Sequence, residues 1–110
     1  MQVFRLQPYL RAMKAMGFDE AAMAEIEQSI CAAPDAHPMV SGLRGARKAR
    51  FARPGRGKRG GGRTIYYAMI GRGRIYMMTA YPKSRQDDLT RDDRKVVLRV
   101  IEQLLSGDNT

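Results

Sequence analysis

The chain has 110 residues, 44% of them hydrophobic, and a formal net charge of +9. That length supports one domain over residues 1–110, built around one core. The positive surplus points to a nucleic acid, an anionic membrane or an acidic protein partner, and says nothing about fold. The lone cysteine, Cys31, excludes an internal disulfide, and one Cys with one His excludes a structural zinc site. No apolar run approaches the ~18 residues of a membrane span. The N-terminus lacks the uninterrupted apolar stretch of a signal peptide. A cytoplasmic protein without membrane attachment is the expectation.

Val3 to Leu6, an apolar run broken by Arg5, predicts a first strand ending at Pro8. Tyr9, Leu10, Met13 and Met16 then recur at helical spacing, with Gly17 as the stop. Asp19 is the expected N-cap of a second helix, whose apolar stripe is Met23, Ile26 and Ile30 with Glu27 at its edge. The acids of this segment read as a solvated face. Pro34 ends the helix, and Pro34 to Ser41 is a connector. It holds His37, the only histidine, which reads as incidental in a loop before Pro38. Cys31 reads as a small apolar helix residue.

From Gly45 the pattern becomes extended. Ala46 to Ala52 alternates, with Lys48 and Arg50 on one face and Arg47, Ala49 and Phe51 on the other. Pro54 to Gly62 is a loop by composition. Arg63 to Ile70 is a strand apolar on both faces, with Ile65 and Tyr67 opposed to Thr64 and Tyr66. Gly71 to Gly73 is a short connection. Arg74 to Tyr81 returns, with Ile75, Met77, Thr79 and Tyr81 expected on one face, and Pro82 ends it. Thr90 and Asp93 form a capping box for a last helix, whose apolar face carries Val96, Val97, Val100, Ile101, Leu104 and Leu105. The order β-α-α-β-β-β-α predicts an α+β fold, a small antiparallel-rich sheet packed by helices.

Between Arg44 and Arg63 stand nine Arg or Lys residues and no acid. Gly55-Arg56-Gly57-Lys58-Arg59-Gly60 formally matches a dinucleotide-binding GxGxxG. A strand follows it where a helix is required, and no Ser or Thr follows Lys58 as a P-loop demands. Asp87, Asp88, Asp92 and Asp93 cluster at a helix start, where capping and dipole compensation account for them. No acid lies between Asp35 and Asp87, so no carboxylate pair for a two-metal nuclease flanks the basic stretch. No metal or other cofactor is expected. What remains is cations and tyrosines. Lys48, Arg50, Lys58, Arg59, Arg63 and Lys83 can converge on phosphates, with Tyr66, Tyr67 and Tyr81 beside them to stack on unpaired bases. Arg47, Arg53 and Arg56 extend the basic surface. Composition leaves a binding surface and a ribonuclease site both open.

Three runs carry a resemblance: Gly45-Ala46-Arg47-Lys48-Ala49-Arg50, Pro54 to Gly61, and Arg63-Thr64-Ile65-Tyr66-Tyr67. With Ile75 to Lys83 and Asp88-Leu89, they resemble the RelE/HigB-type toxins of bacterial type II toxin–antitoxin systems. The resemblance is specific from about Gly42 to Leu89. It implies a RelE-like α+β domain and a metal-independent endoribonuclease that cleaves mRNA, in most such toxins in the ribosomal A site. The implied partners are mRNA, the ribosome and a cognate antitoxin, often a helix-turn-helix protein, with operator DNA reached only through that antitoxin. The implied catalytic set is Lys48, Arg50, Lys58, Arg63, Tyr81 and Lys83. The implied RNA-binding set is Arg47, Arg53, Arg56, Arg59, Tyr66 and Tyr67. Pro82 and Ser84 depart from the family pattern, and nothing aromatic follows Tyr81. The rival readings are a non-catalytic RNA- or ribosome-binding domain and a gyrase-inhibiting toxin of the related ParE type.

Overall fold

The computed structural model describes residues 1–53, 57–84 and 88–108, and the side chains of 53, 57–60 and 108 lie outside that description. Strand β1 (Gln2–Arg5) is followed by helices α1 (Gln7–Ala15) and α2 (Glu20–Ala32), strands β2 (Arg47–Arg53), β3 (Gly57–Met69) and β4 (Arg74–Pro82), and helix α3 (Arg91–Asp108). One four-stranded sheet runs β1-β4-β3-β2. β1 lies parallel to β4, and the other pairings are antiparallel. The α+β class and the element order are as the sequence predicts.

The helix ends follow from local chemistry. Gly17, at φ +87°, takes the left-handed conformation that ends α1. Its N–H reaches the Lys14 carbonyl and that of Phe18 reaches Met13, satisfying carbonyls the helix leaves open. The Asp19 carboxylate accepts from the Ala22 N–H at 2.8 Å and starts α2. Thr90 and Asp93 exchange bonds at 3.1 and 3.3 Å at the start of α3.

Two apolar layers sandwich the sheet. Tyr9 and Met13 of α1 and Met23 and Ile30 of α2 pack on Ala49, Tyr66, Ile75 and Met77. Val97 and Ile101 of α3 pack on Ile65, Tyr76, Met78 and Tyr81, together with Val40, Leu43 and Ala46 from the segment before β2. Val96, expected on the apolar face of α3, stays exposed.

Three expectations are corrected. First, the acids of α2 are not all solvated. Glu27 is buried, and its carboxylate accepts from Arg5 Nε and Nη2 and from the Tyr9 hydroxyl, each at 2.8 Å. A carboxylate at the margin of an apolar stripe can be buried when opposite charge and a hydroxyl meet it there. Second, the glycine-rich stretch read as a loop to Gly62 is strand from Gly57 onward. Composition reports what side chains can bury, not whether the backbone pairs. Gly62 must be glycine here, since a Cβ would stand 2.6 Å from Phe51 Cζ and 2.8 Å from the Tyr81 carbonyl oxygen. Third, β4 does not keep one alternation. Ile65 pairs with Thr79 but Tyr66 pairs with Met77, so one extra residue sits in β4. That bulge sends Tyr81 to the α3 side, away from Ile75 and Met77.

Candidate functional site

The alternation of β2 decides which cations gather. Ala49 and Phe51 point to the α1/α2 layer, so Lys48 and Arg50 point the other way. Lys48 lies opposite Ile65 and Arg50 opposite Arg63 across the β2–β3 pairing. Lys83 follows β4, and its N–H donates to the Gly61 carbonyl at 3.1 Å, which brings it beside the same end of β3. The four side chains line an open cleft of 550 Å³, walled on one side by His37 and Pro38. A shallower cavity of 370 Å³ continues past Phe51 and shares Arg50, Arg63 and Lys83.

Among the described residues no carboxylate lines either cavity. Among the described residues Lys48, Arg50, Arg63 and Lys83 form no ion pair. Arg63 Nη1 donates only to the neighbouring Gly62 carbonyl, at 3.0 Å. Placing Arg50 directly opposite Arg63 sets like charges face to face, an arrangement that costs stability. Asp88 is held elsewhere: it accepts from the Leu89 N–H and from Arg94 Nη2, both at 2.8 Å. The bond from Leu89 and the charge of Arg94, with a smaller contribution from Lys48, keep its carboxyl below the usual range. Among the described residues the cleft is therefore a cluster of cations without ion pairs. Such cations can hold phosphate groups by charge-assisted bonds.

The predicted residues separate into groups. Lys48, Arg50, Arg63 and Lys83 come together as expected. Tyr81 is 4% exposed and faces the α3 layer, in register with Arg63. Tyr67 is half-buried, with its ring against Gly45. Tyr66 does not face the cleft. It is fully buried on the α1/α2 side, and its hydroxyl donates to the Pro34 carbonyl at 2.7 Å. Burial pushes that hydroxyl up to about 12. It leaves no ring surface for a base. Arg47 also lies on that side, and its Nη1 donates to the His37 carbonyl at 2.7 Å. The side chains of Arg53, Lys58 and Arg59, and all of Arg56, lie outside the described residues.

His37, read from the sequence as incidental in a connector, stands at the cleft wall. The segment before β2 is anchored to that strand: Met39 bridges Arg47, and the Lys48 N–H donates to the Pro38 carbonyl at 3.0 Å. The His37 ring meets Tyr66 edge-on, with centroids 5.9 Å apart. Only the pairing of that segment with β2, which a connector's composition does not announce, brings His37 to the cleft wall. No group of three or more His, Cys, Asp or Glu residues that could hold a metal ion occurs among the described residues. No helix among them is long and apolar enough to cross a membrane.

Residues 1–109 match the family model described as the RelE toxin of the RelE/RelB toxin–antitoxin system. Among solved structures, the chain is similar to an arginine-to-alanine double mutant of the E. coli toxin RelE in its free state. The identity is 12% over 78% of this chain and 86% of that one, with a TM-score of 0.50. At that identity the likeness concerns the fold alone.

Proposed function

The chain belongs to the RelE family, and from that premise we propose that it is the toxin of a type II toxin–antitoxin pair, an endoribonuclease that cleaves mRNA on the translating ribosome. The observation that carries the reading is the convergence of Lys48, Arg50, Arg63 and Lys83 on one open cleft, with no carboxylate among the described residues of its lining. Cleavage of RNA by its own 2′-hydroxyl needs three things. The hydroxyl must lose a proton, the phosphorane must have its growing charge met, and the 5′-oxygen must gain a proton. Fixed guanidinium groups supply the second, and each such donor is worth roughly 10²–10³ in rate. Arg63 and Arg50 are suited to that role by position, and Lys58 is assigned to it by its place in the motif. Lys48 or Lys83, both lining the same cleft, is assigned the proton transfers.

The reading includes a cognate antitoxin of helix-turn-helix type, which silences the toxin and carries it to operator DNA. The test is cleavage of mRNA in a purified translation system. Wild-type protein is expected to cut ribosome-bound message, and Arg63→Ala to lose about 100-fold or more of that rate. Wild type that leaves the message intact under these conditions removes the ribonuclease reading. One observation favours the rival binding domain: the Tyr66 hydroxyl is committed to Pro34, and Tyr81 is 4% exposed. A binder would retain ribosome association with no cleavage in wild type and variant alike. A gyrase inhibitor would induce DNA damage with the message pool unchanged.

A further inference from the structure

A third cavity, of 230 Å³, opens on the α2 side where β2 forms the edge of the sheet. Its floor is apolar, made by Ile26 of α2 and Ala49 of β2, with Phe51 as one wall. Its rim is polar. Glu25 and Ser29 stand four residues apart on α2, hence on one face of the helix, and both are exposed. His37 and Arg50 line both this cavity and the cationic cleft, so the two spaces flank the same stretch of the edge strand.

The walls are held. The Phe51 ring meets Phe18 edge-on at 5.1 Å and lies against Gly62. The His37 ring is set edge-on against Tyr66, and its carbonyl is fixed by Arg47. An apolar floor between two positioned rings, with a hydrogen-bonding rim, is the kind of space a flat heteroaromatic group occupies. The boundary shared with the cleft narrows the choice of group. A nucleotide carries a charged phosphate on one side of its sugar and a flat base on the other. The two cavities carry the same division, cationic and then apolar, with Arg50 and His37 at the join.

We propose that this cavity is a nucleobase subsite that selects bases carrying an exocyclic amino group. The proposal rests on RNA being the ligand of the cleft. The Glu25 carboxylate only accepts hydrogen bonds. Adenine, cytosine and guanine each present an amino group to such an acceptor. Uracil flanks its single edge N–H with two carbonyl oxygens, which a carboxylate repels. Ser29 donates or accepts and completes the edge contact.

The test uses the full chain and uridine hexamers, 2′-O-methylated to block cleavage, with one central base varied. Binding is read by fluorescence anisotropy. Amino-bearing central bases should bind about 5- to 10-fold more tightly than uracil, the scale of a good edge contact. Glu25→Gln supplies a donor and should raise uracil towards the others. Ser29→Trp, an exposed helix substitution, should fill the cavity and reduce all four to the uracil level. The salt dependence set by the cleft cations should persist. Equal binding of all four bases by wild type, or an unchanged preference in Ser29→Trp, overturns the subsite and leaves Arg63-dependent cleavage standing. Failure of wild type to bind any of the hexamers removes the subsite, and the ribonuclease reading falls with it only if ribosome-bound message is also left intact.

Discussion

Arginine is used in two opposite ways on the two faces of this sheet. On the α1/α2 face, Arg5 is clamped between Glu27 and Glu20, and Tyr9 shares the Glu27 carboxylate. The bonds to Glu27 hold the Arg5 proton more firmly than usual. Burial and Glu27 do the same for the Tyr9 hydroxyl. On the other face Arg50 and Arg63 stand opposite each other with no acid among the described residues of the cleft lining. One set of charges is satisfied inside the protein and fixes the packing of α2 against β1. The other is left for something outside. An electrostatic cost kept in an open cleft marks a ligand site more clearly than the count of basic residues does.

The comparison breaks most sharply at Glu27. Glu27→Ala leaves Arg5 and Tyr9 half-buried or buried without their shared acceptor. It should cost about 3–5 kcal/mol of stability, the usual result of removing one partner of a buried ion pair. Urea denaturation of the variant would show it as a lowered midpoint, and cleavage per folded molecule should be retained. Arg63→Gln should behave in the opposite way. Its rate should fall about 10²–10³-fold, equivalent to roughly 3–4 kcal/mol of transition-state stabilisation. Its stability should hold or rise by up to about 1 kcal/mol, because a like-charge pair directly across two strands is removed. An Arg63→Gln variant that unfolds as readily as Glu27→Ala would place Arg63 with the structural charges.

The elements were legible because their signals are local. Gly17, Asp19 and the Thr90–Asp93 pair each determine a helix end within a few residues. The cationic cleft was legible for a related reason, since period-two alternation puts Lys48 and Arg50 on one face once β2 is a strand. What the sequence hid is non-local. The bulge in β4 depends on how β3 pairs with it, and it moves Tyr81 to the α3 side. Burial of Glu27 depends on Arg5, 22 residues away. His37 reaches the cleft only because the connector bonds along β2. The strand from Gly57 to Gly62 carries no apolar pattern, and only its pairing reveals it.

Gly62 sits where the two faces meet, beneath Phe51 and against the backbone of Tyr81. Gly62→Ala should cost about 1–3 kcal/mol, the range for an added methyl in a filled space. Because Phe51 must shift and Arg63 is the next residue, cleavage should fall as well. A thermal melt paired with a cleavage assay separates the two losses. Retention of full stability would mean that the ring moves aside freely, and would weaken the picture of Phe51 as a fixed wall.

The smallest effect concerns Tyr66, whose ring the resemblance assigned to RNA and whose hydroxyl is paired with Pro34. Its bond to the Pro34 carbonyl is worth about 1 kcal/mol, and Tyr66→Phe should lose that much at neutral pH with cleavage per folded molecule unchanged. The pH dependence identifies the residue. Burial raises the folded-state value from 10.0 to about 12, so the contribution is complete below pH 10.0. Above it the unfolded chain releases a proton that the folded chain keeps, and stability falls as pH rises towards about 12. Tyr9 is raised in the same direction and adds to the alkaline loss. Tyr66→Phe should therefore show a shallower decline over that window than wild type, read from urea midpoints at several alkaline pH values. An identical slope would mean that the Tyr66 hydroxyl is hydrated in solution. It would return the ring to the list of groups that can face the cleft.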